Sequence, residues 1–134
     1  MRRADDGRTV LTHNSTLTHQ IIGLAMPVDT RPGPGLLENV CERCLCHESD
    51  QANRPYERQV NLPLVFDDVR LHCCYRADVI VNREVLVEIK SIEHMLPLHE
   101  AQLLTCLRLS SCRVGLLLNF NTVALKDGIK RRAL

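Results

Sequence analysis

The order of apolar and polar positions along this 134-residue chain predicts that it begins with helices. Residues 1–14 are polar, and we expect them to form a flexible segment that precedes the folded domain. Behind them, three apolar residues recur at the spacing of one helix face: Leu17, Ile21 and Leu24. We predict a short helix here, capped by Ser15 or Thr16 and ended at Ala25 by Pro27.

A second helix is predicted from about residue 36 to residue 50, after a turn rich in proline and glycine at residues 31–35. Five of its residues form an apolar stripe at helical spacing: Leu37, Val40, Cys41, Cys44 and Leu45. Asn53 tolerates a left-handed backbone conformation, so we expect it to close this helix before Pro55.

The middle of the chain is rich in residues that favour strands. Three runs are predicted as strands: residues 58–66, 69–81 and 85–92. Pro63 has no backbone N–H to donate, so the first strand is expected at an edge of the sheet. A helix is predicted over residues 97–109, and the continuous apolar run within residues 113–120 predicts a strand that is buried on both faces.

The order of these elements, α-α-β-β-β-α-β, predicts an α/β protein with a mixed central β-sheet flanked by helices. Residues 15–134 are enough for a single domain with one core, and the sequence has no internal repeat that would divide them. After Asn121 the chain becomes polar, and we expect a polar C-terminal tail there.

Two acidic residues and a lysine interrupt the apolar strands. Side chains alternate between the faces of a strand, so Glu88 and Lys90 lie on one face of the third predicted strand. Asp78 lies in the apolar end of the strand before it. A Glu-x-Lys pair in a strand is also typical of an ion pair on a solvated face, so Glu88 and Lys90 alone do not define a site.

The loop between these two strands decides whether Asp78 and Glu88 meet. With a two-residue loop, Asp78 would lie opposite Val87 and on the wrong face. With a three-residue loop at residues 82–84, Asp78 lies opposite Glu88. We predict the three-residue loop.

Two carboxylates that converge in a partly buried place repel each other, and a hard divalent cation relieves that repulsion. Mg²⁺ suits such a place because it accepts one or two carboxylates and keeps several of its waters. Lys90 would then orient a water molecule or stabilise developing negative charge. The three residues therefore predict a metal site.

Two helices contribute further candidates. Glu38 shares a helix face with Cys41 and Leu45 and is expected to border the buried stripe. In the helix predicted over residues 97–109, three residues share one face: His99, Gln102 and Cys106. A surface glutamine and a packed or solvent-facing histidine are the alternative interpretations of this face.

Composition restricts the function classes. Two tyrosines and two phenylalanines, without tryptophan, make a stacking platform for single-stranded bases improbable, and a net charge of +1 shows no basic excess. No apolar run approaches the roughly 20 residues of a membrane span, and no secretory signal follows the basic N-terminus. We therefore expect a cytoplasmic protein without membrane contact, in which the seven cysteines stay reduced.

Several segments of the chain resemble the GxxExxY proteins, which are placed in the PD-(D/E)XK nuclease superfamily. The likeness runs, in order and over roughly residues 16–132, through GPGLLENVCERCL, RPYERQVNLPLVFDDVRLHCCYRADVIV, VLVEIKSIEHMLPLHEAQLLTCLRLSSCRVGLLLNFN and LKDGIKR. This resemblance implies a restriction-endonuclease-like fold. It also implies a metal-dependent nuclease that hydrolyses phosphodiester bonds of DNA or RNA with Mg²⁺ or Mn²⁺.

The resemblance implies roles for individual residues as well. Those that it places in the catalytic site are, in chain order, Glu38, Asp78, Glu88, Lys90 and Gln102. Asp78 and Glu88 would ligate the metal, and the Ile89 carbonyl oxygen would converge on the same point. Cys41 and Cys106 stand where the family has tyrosines.

Two other functions are alternatives. The first is a nuclease-fold binding module without useful catalysis, which acts in a complex or as a homodimer; the near-neutral charge and the two replaced tyrosines favour it. The second is a zinc or iron–sulfur site, because six ligand residues lie in two short segments: Cys41, Cys44, Cys46, His47, Cys73 and Cys74. One observation argues against the zinc or iron–sulfur site. Cys41 and Cys44 share a predicted helix face, whereas Cys46 points largely in another direction.

Overall fold

The computed structural model of the protein describes the backbone of residues 3–32 and 35–134, and the side chains of residues 16–32, 35–72 and 74–134. Its helices are α1 (Arg3–Thr30), α2 (Glu38–Gln51) and α3 (Pro97–Leu109). Its strands are β1 (Tyr56–Phe66), β2 (Val69–Val81), β3 (Val85–Lys90), β4 (Val114–Asn119) and β5 (Ile129–Ala133). A short 3₁₀ helix, Leu125–Gly128, precedes β5.

Within the described ranges the strands form one five-stranded sheet in the order β1-β2-β3-β4-β5. The β3–β4 pair is parallel and the other neighbouring pairs are antiparallel, which confirms the predicted mixed sheet. All six residues of β4 are buried, as its continuous apolar run predicted. The fold is therefore α/β, with helices on both faces of the sheet.

Two apolar layers hold the helices to the sheet. One lies between the sheet and the pair α1 and α2, and the strands β2, β3 and β4 contribute to it Val79, Val81, Val85, Val87, Ile89, Leu116 and Leu118. The other lies under α3, whose Leu103, Cys106 and Leu107 pack on Ile80, Leu86 and Leu117. Alternate residues of each strand thus point to opposite layers, which identifies the face on which each polar strand residue lies.

Helix α1 is longer than predicted. It runs from Arg3 to Thr30, so the predicted start at Ser15 or Thr16 and the predicted end at Pro27 were wrong. Pro27 lies in the last turn, where its missing N–H removes only one helical hydrogen bond. Four buried residues hold this part of the helix on the sheet: Leu17, Ile21, Ala25 and Val28. The division of the chain at residue 14 stays a prediction.

Helix α2 buries a different face from the one predicted. Leu37 is 70 % exposed and Val40 is 38 % exposed, although both were expected in the inward stripe. The buried residues are Cys41, Glu42, Leu45, Cys46 and Ser49. The inward stripe is thus rotated by about one residue, and Leu37 precedes the helix as its extended N-cap.

The end of α2 is the one that the sequence predicted. Asn53 has a positive φ of 56°. The Asn53 N–H donates to the Asp50 carbonyl at 3.0 Å, and the Arg54 N–H donates to the Ser49 carbonyl at 2.8 Å. These two bonds form the Schellman pattern that ends many helices.

The predicted strand and helix bounds agree with the structure to within two residues in the middle of the chain. Strand β2 and helix α3 have the predicted bounds, whereas β1 begins at Tyr56 and β3 ends at Lys90. Strand β1 is at the edge of the sheet, as predicted from Pro63, and its register with β2 shifts between Leu62 and Leu64. Among the described helices, none combines the length and the apolar character that crossing a membrane requires.

The C-terminal part of the chain corrects the predicted element order. Residues 129–133 were expected in a polar tail, but they form β5, which pairs antiparallel with β4. Gly128 lies directly before this strand, and a Cβ atom there would be 2.4 Å from the Asn119 backbone oxygen. Only glycine therefore fits between the end of β4 and the start of β5.

We expect Gly128→Ala to lower the free energy of unfolding by about 2 kcal/mol, because the methyl group would displace backbone rather than a flexible side chain. Gly23→Ala is the matched control, since a Cβ atom at Gly23 meets nothing within 4 Å inside α1. There alanine should stabilise by up to about 1 kcal/mol through helix propensity. Urea unfolding of both variants measures the difference, and equal effects of the two substitutions would contradict it.

Candidate functional site

The β2–β3 hairpin brings the two predicted acids together. Residues 82–84 form the loop, and Val81 pairs with Val85, so the predicted three-residue loop is confirmed. Backbone pairing ends at Val79, which lies opposite Val87. One residue further along, Asp78 and Glu88 lie opposite each other, at the point where the two backbones stop pairing.

Side chains replace backbone groups as hydrogen-bond acceptors at this point. The Ile89 N–H donates to Asp78 Oδ2 at 2.8 Å. The Asp78 N–H in turn bonds to the Glu88 carboxylate and thereby lowers the pKa of that group. These reciprocal contacts hold the two carboxylates next to each other, and each carboxylate is fixed by the strand that carries the other.

Glu88 has one carboxylate oxygen without a partner. Its Oε1 is buried and accepts no hydrogen bond from the described residues, while Oε2 is 3.9 Å from Lys90 Nζ. Burial, and then the charge of Asp78, raise the pKa of Glu88 to about 7, although Lys90 opposes this shift. Burial also raises the pKa of Asp78. Lys90 therefore does not compensate the negative charge of the pair.

A hard cation fits this arrangement. A positive charge between the two carboxylates would give the unpartnered Glu88 oxygen a partner and would oppose the causes that raise both pKa values. No group of three or more His, Cys, Asp and Glu side chains suited to a metal occurs among the described residues. The ligands that the structure brings together are two carboxylates, and such an all-oxygen set, completed by water, suits a hard divalent cation better than zinc. The role of the Ile89 carbonyl stays a prediction.

The same finding contradicts the soft-metal alternative for the described cysteines. Cys41 and Cys46 are buried in the helix, and burial is the main cause that raises the pKa of each thiol to about 11. Cys44 is half-buried and Cys74 is exposed on β2, so these four do not form a ligand group. The side chain of Cys73 lies outside the described residues.

Glu38 reaches the site from α2. It is exposed, and it lies one helical turn before the buried Cys41, so it borders the buried stripe as expected. Its Oε2 accepts a hydrogen bond from the Ser91 N–H at 3.1 Å, directly after β3. The charge of Glu38 is among those that raise the pKa values of Asp78 and Glu88, so it lies within electrostatic range of both.

Helix α3 covers the acids from the other side through Cys106. This thiol is 5 % exposed, and burial raises its pKa to about 11, with Glu88 and Asp78 adding to the effect. Gln102, one turn earlier, is exposed. His99 is engaged at the helix start, where its Nδ1 accepts the Leu96 N–H at 2.9 Å. Of the three residues on the predicted face, Cys106 is therefore the one that the structure brings to the acids.

The structure adds Glu42, which the sequence interpretation did not include. Glu42 is 4 % exposed on α2. Its Oε2 accepts from Arg58 Nε at 2.8 Å, and its Oε1 accepts from Gln59 Nε2 at 2.6 Å. Its charge contributes to the raised pKa of Asp78. Glu42 shares helical spacing with Leu45 and Ser49, so a stripe shifted by one residue would have identified it.

An α/β sheet of this topology, with an acid on one strand of a hairpin and Glu-x-Lys on the next, defines a restriction-endonuclease-like domain. The sequence profile of the PD-(D/E)XK nuclease superfamily matches residues 15–132, and the chain belongs to this superfamily. Neither the comparison with curated proteins nor that with solved structures gave a match. The narrower resemblance to the GxxExxY proteins stays a prediction.

Proposed function

We propose that the protein is a metal-dependent nuclease that hydrolyses phosphodiester bonds of nucleic acid at Asp78, Glu88 and Lys90. The observation that carries this proposal is the buried, unpartnered Oε1 of Glu88 beside a second carboxylate. A buried acceptor without a partner costs about 1–3 kcal/mol, so its presence in an otherwise well-packed strand is consistent with a ligand that supplies the missing charge.

In this proposal Asp78, Glu88 and the Ile89 carbonyl hold Mg²⁺ or Mn²⁺. The bound cation supplies a water of lowered pKa and neutralises charge on a phosphoryl oxygen. Asp78 and Glu88 are positioned for this role by their bonds to the opposite strand. The superfamily match supports the reaction class, and the hairpin geometry supports the choice of these two acids.

Lys90 is the cation that the chain itself provides. Its side chain is 21 % exposed and lies on the same strand face as Glu88, two residues away. From there the ammonium group can donate to the attacking water or to the oxygen that gains charge. Burial against Cys106 limits water around the acids, which strengthens these electrostatic interactions.

The other two proposed residues, Glu38 and Gln102, are proposed to act on the substrate and not on the metal. Glu38 accepts the Ser91 N–H and so connects α2 to the end of β3, where the substrate would enter. Gln102 is exposed on α3 and is free to bind a substrate group rather than the metal. Both are proposed to orient the substrate, with a smaller effect on rate than the three central residues.

The test is cleavage of a supercoiled plasmid, a linear DNA duplex and a single-stranded RNA in Mg²⁺, Mn²⁺ or EDTA. We expect cleavage of at least one substrate with metal and none in EDTA. Asp78→Asn and Lys90→Ala should each lower the rate by about 100-fold or more.

Two surface substitutions serve as controls for that experiment. Asp68→Asn makes the same chemical change at an exposed hairpin turn, and Lys126→Ala removes an exposed lysine from the 3₁₀ helix. Both should leave the rate unchanged. Metal-independent cleavage, or equal rates for Asp78→Asn and Asp68→Asn, would reject the proposal. Duplex binding without any cleavage would instead favour the binding module.

A further inference from the structure

Gln59 has a backbone conformation that is unusual for a strand. Its φ is 52°, in the left-handed region that residues other than glycine seldom adopt, although it lies within β1. The register with β2 is intact on both sides of it, because Arg58 pairs with Val79 and Val60 pairs with Ala77. The distortion is therefore confined to Gln59.

The face pattern of β1 reverses at Gln59. Neighbouring residues of a regular strand point to opposite faces, yet Arg58 and Gln59 both donate to the carboxylate of Glu42 on α2. Regular alternation would place Val60 and Leu62 on the same face as Arg58. They pack instead in the layer under α3, on the opposite face of the sheet.

Strand β2 reverses at the residue that faces Gln59. By the register on either side, that residue is Asp78. Val79 and Val81 pack in the layer against α1 and α2, whereas Ala77 packs in the layer under α3, although it is only two residues from Val79. Both strands therefore reverse their faces at the same rung of the ladder, which consists of Gln59 and Asp78.

The reversal accounts for the position of the Asp78 carboxylate. Backbone pairing between β2 and β3 ends at Val79, and the Ile89 N–H donates to a side-chain atom, Asp78 Oδ2, at 2.8 Å. A strand with regular alternation would carry the Asp78 side chain on one face of the sheet. At the reversal the side chain reaches the backbone of β3 instead, beside Glu88.

We propose that Gln59 is a positioning residue for Asp78, because its left-handed backbone reverses β1 and β2 together and so holds the Asp78 carboxylate against β3. This inference rests on the proposed function in treating Asp78 as a metal ligand. Gln59 Nε2 donates to Glu42 Oε1 at 2.6 Å, which fixes the side chain on the α2 face. A strained residue persists only where its surroundings determine its conformation, and such residues concentrate at functional sites.

The test compares Gln59→Ala with Gln59→Gly. Both variants lose the bond to Glu42, but glycine adopts a positive φ without strain and alanine does not. The readout is hydrogen exchange of the Ile89 amide in EDTA, measured by NMR and divided by that of Leu117 in the buried strand β4, so that changes in global stability cancel. This ratio should be about fivefold higher or more in Gln59→Ala than in Gln59→Gly, and the glycine variant should stay within about twofold of the wild type.

Asp67→Ala and Asp67→Gly are the matched control pair. Asp67 has a φ of 56° in the loop between β1 and β2, away from the rung of Asp78. Neither control should change the exchange ratio. The same ratio in Gln59→Ala and Gln59→Gly, or an equal difference within the Asp67 pair, would overturn the inference and leave the nuclease proposal intact.

Calorimetric titration with Mn²⁺ connects the position of Asp78 to metal binding. Gln59→Ala should raise Kd for Mn²⁺ about tenfold relative to Gln59→Gly, since groups that orient a ligand control metal affinity. Equal Kd values for the two variants, with a wild type that binds, would overturn the role of Gln59. A wild type that binds no Mn²⁺ would reject the proposed metal site, and the exchange ratio of Ile89 would still decide whether Gln59 positions Asp78.

Discussion

Glu88→Gln is expected to make the metal-free protein more stable at pH 8 and to abolish its metal-dependent cleavage. The carboxylate of Glu88 is largely buried, with one oxygen that has no partner among the described residues, and it lies beside Asp78. Glutamine keeps the shape but removes the buried charge. Glu88 is thus expected to destabilise the folded protein in the absence of metal and to be required for cleavage when metal is bound.

The direction of the pH effect follows from the raised pKa. Glu88 titrates near its ordinary value of 4.5 in the unfolded chain and at about 7 in the folded protein. Between these two pH values the unfolded chain releases a proton that the folded protein keeps, so the free energy of unfolding decreases as pH rises through this window. Well above pH 7 the loss is complete, and it amounts to about 3 kcal/mol.

Urea unfolding in EDTA at pH 4 and pH 8 measures this effect. The wild type and Glu88→Gln should be similarly stable at pH 4, and the variant should be more stable at pH 8 by about 3 kcal/mol. Glu57→Gln, an exposed acid on β1, is the control and should change neither value. Addition of Mg²⁺ should stabilise the wild type but not Glu88→Gln. A variant that is less stable than the wild type at pH 8 would contradict the buried-charge explanation.

The acid pair could be predicted from the sequence because its geometry depends on one local quantity. A three-residue loop at residues 82–84 is enough to place Asp78 opposite Glu88, whatever the rest of the sheet does. The wrong register would have placed the Asp78 side chain on the other face. Strand periodicity and a common hairpin length therefore contained the information needed.

The buried face of α2, in contrast to the acid pair, could not be predicted from the sequence pattern. A helix of 14 residues with buried Glu42 and Ser49 and exposed Leu37 and Val40 does not display its inward face as an apolar stripe. Glu42 is buried because partners from β1 satisfy both of its oxygens, and those partners are more than 15 residues away in the chain. Local periodicity does not contain such a tertiary contact.

Strand β5 was missed for a related reason. The segment Ile129–Ala133 has three consecutive basic residues and does not alternate between apolar and polar positions. It is a strand because β4 offers an unpaired edge and because Gly128 allows the chain to pass close to Asn119.

The second large effect is expected for Arg58→Ala, which should lower the free energy of unfolding by about 2–3 kcal/mol. Arg58 lies partly exposed on β1, but its partner Glu42 is buried, with Arg58 Nη2 2.7 Å from Glu42 Oε2. Removing the guanidinium leaves a buried carboxylate whose remaining contact is the Gln59 amide. The cost therefore arises mainly from the unpaired charge and only partly from the lost attraction.

A double-mutant cycle distinguishes these two contributions. Glu42→Gln keeps a side chain that can bond to Gln59 but carries no charge, so it should cost less than Arg58→Ala. If unpaired charge is the main cost, Arg58→Ala in the Glu42→Gln background should cost only about 1 kcal/mol. Strictly additive losses would instead show that the ion pair does not act as a unit. Glu42 would then be held chiefly by Gln59, whose amide nitrogen donates to Oε1 of the carboxylate at 2.6 Å.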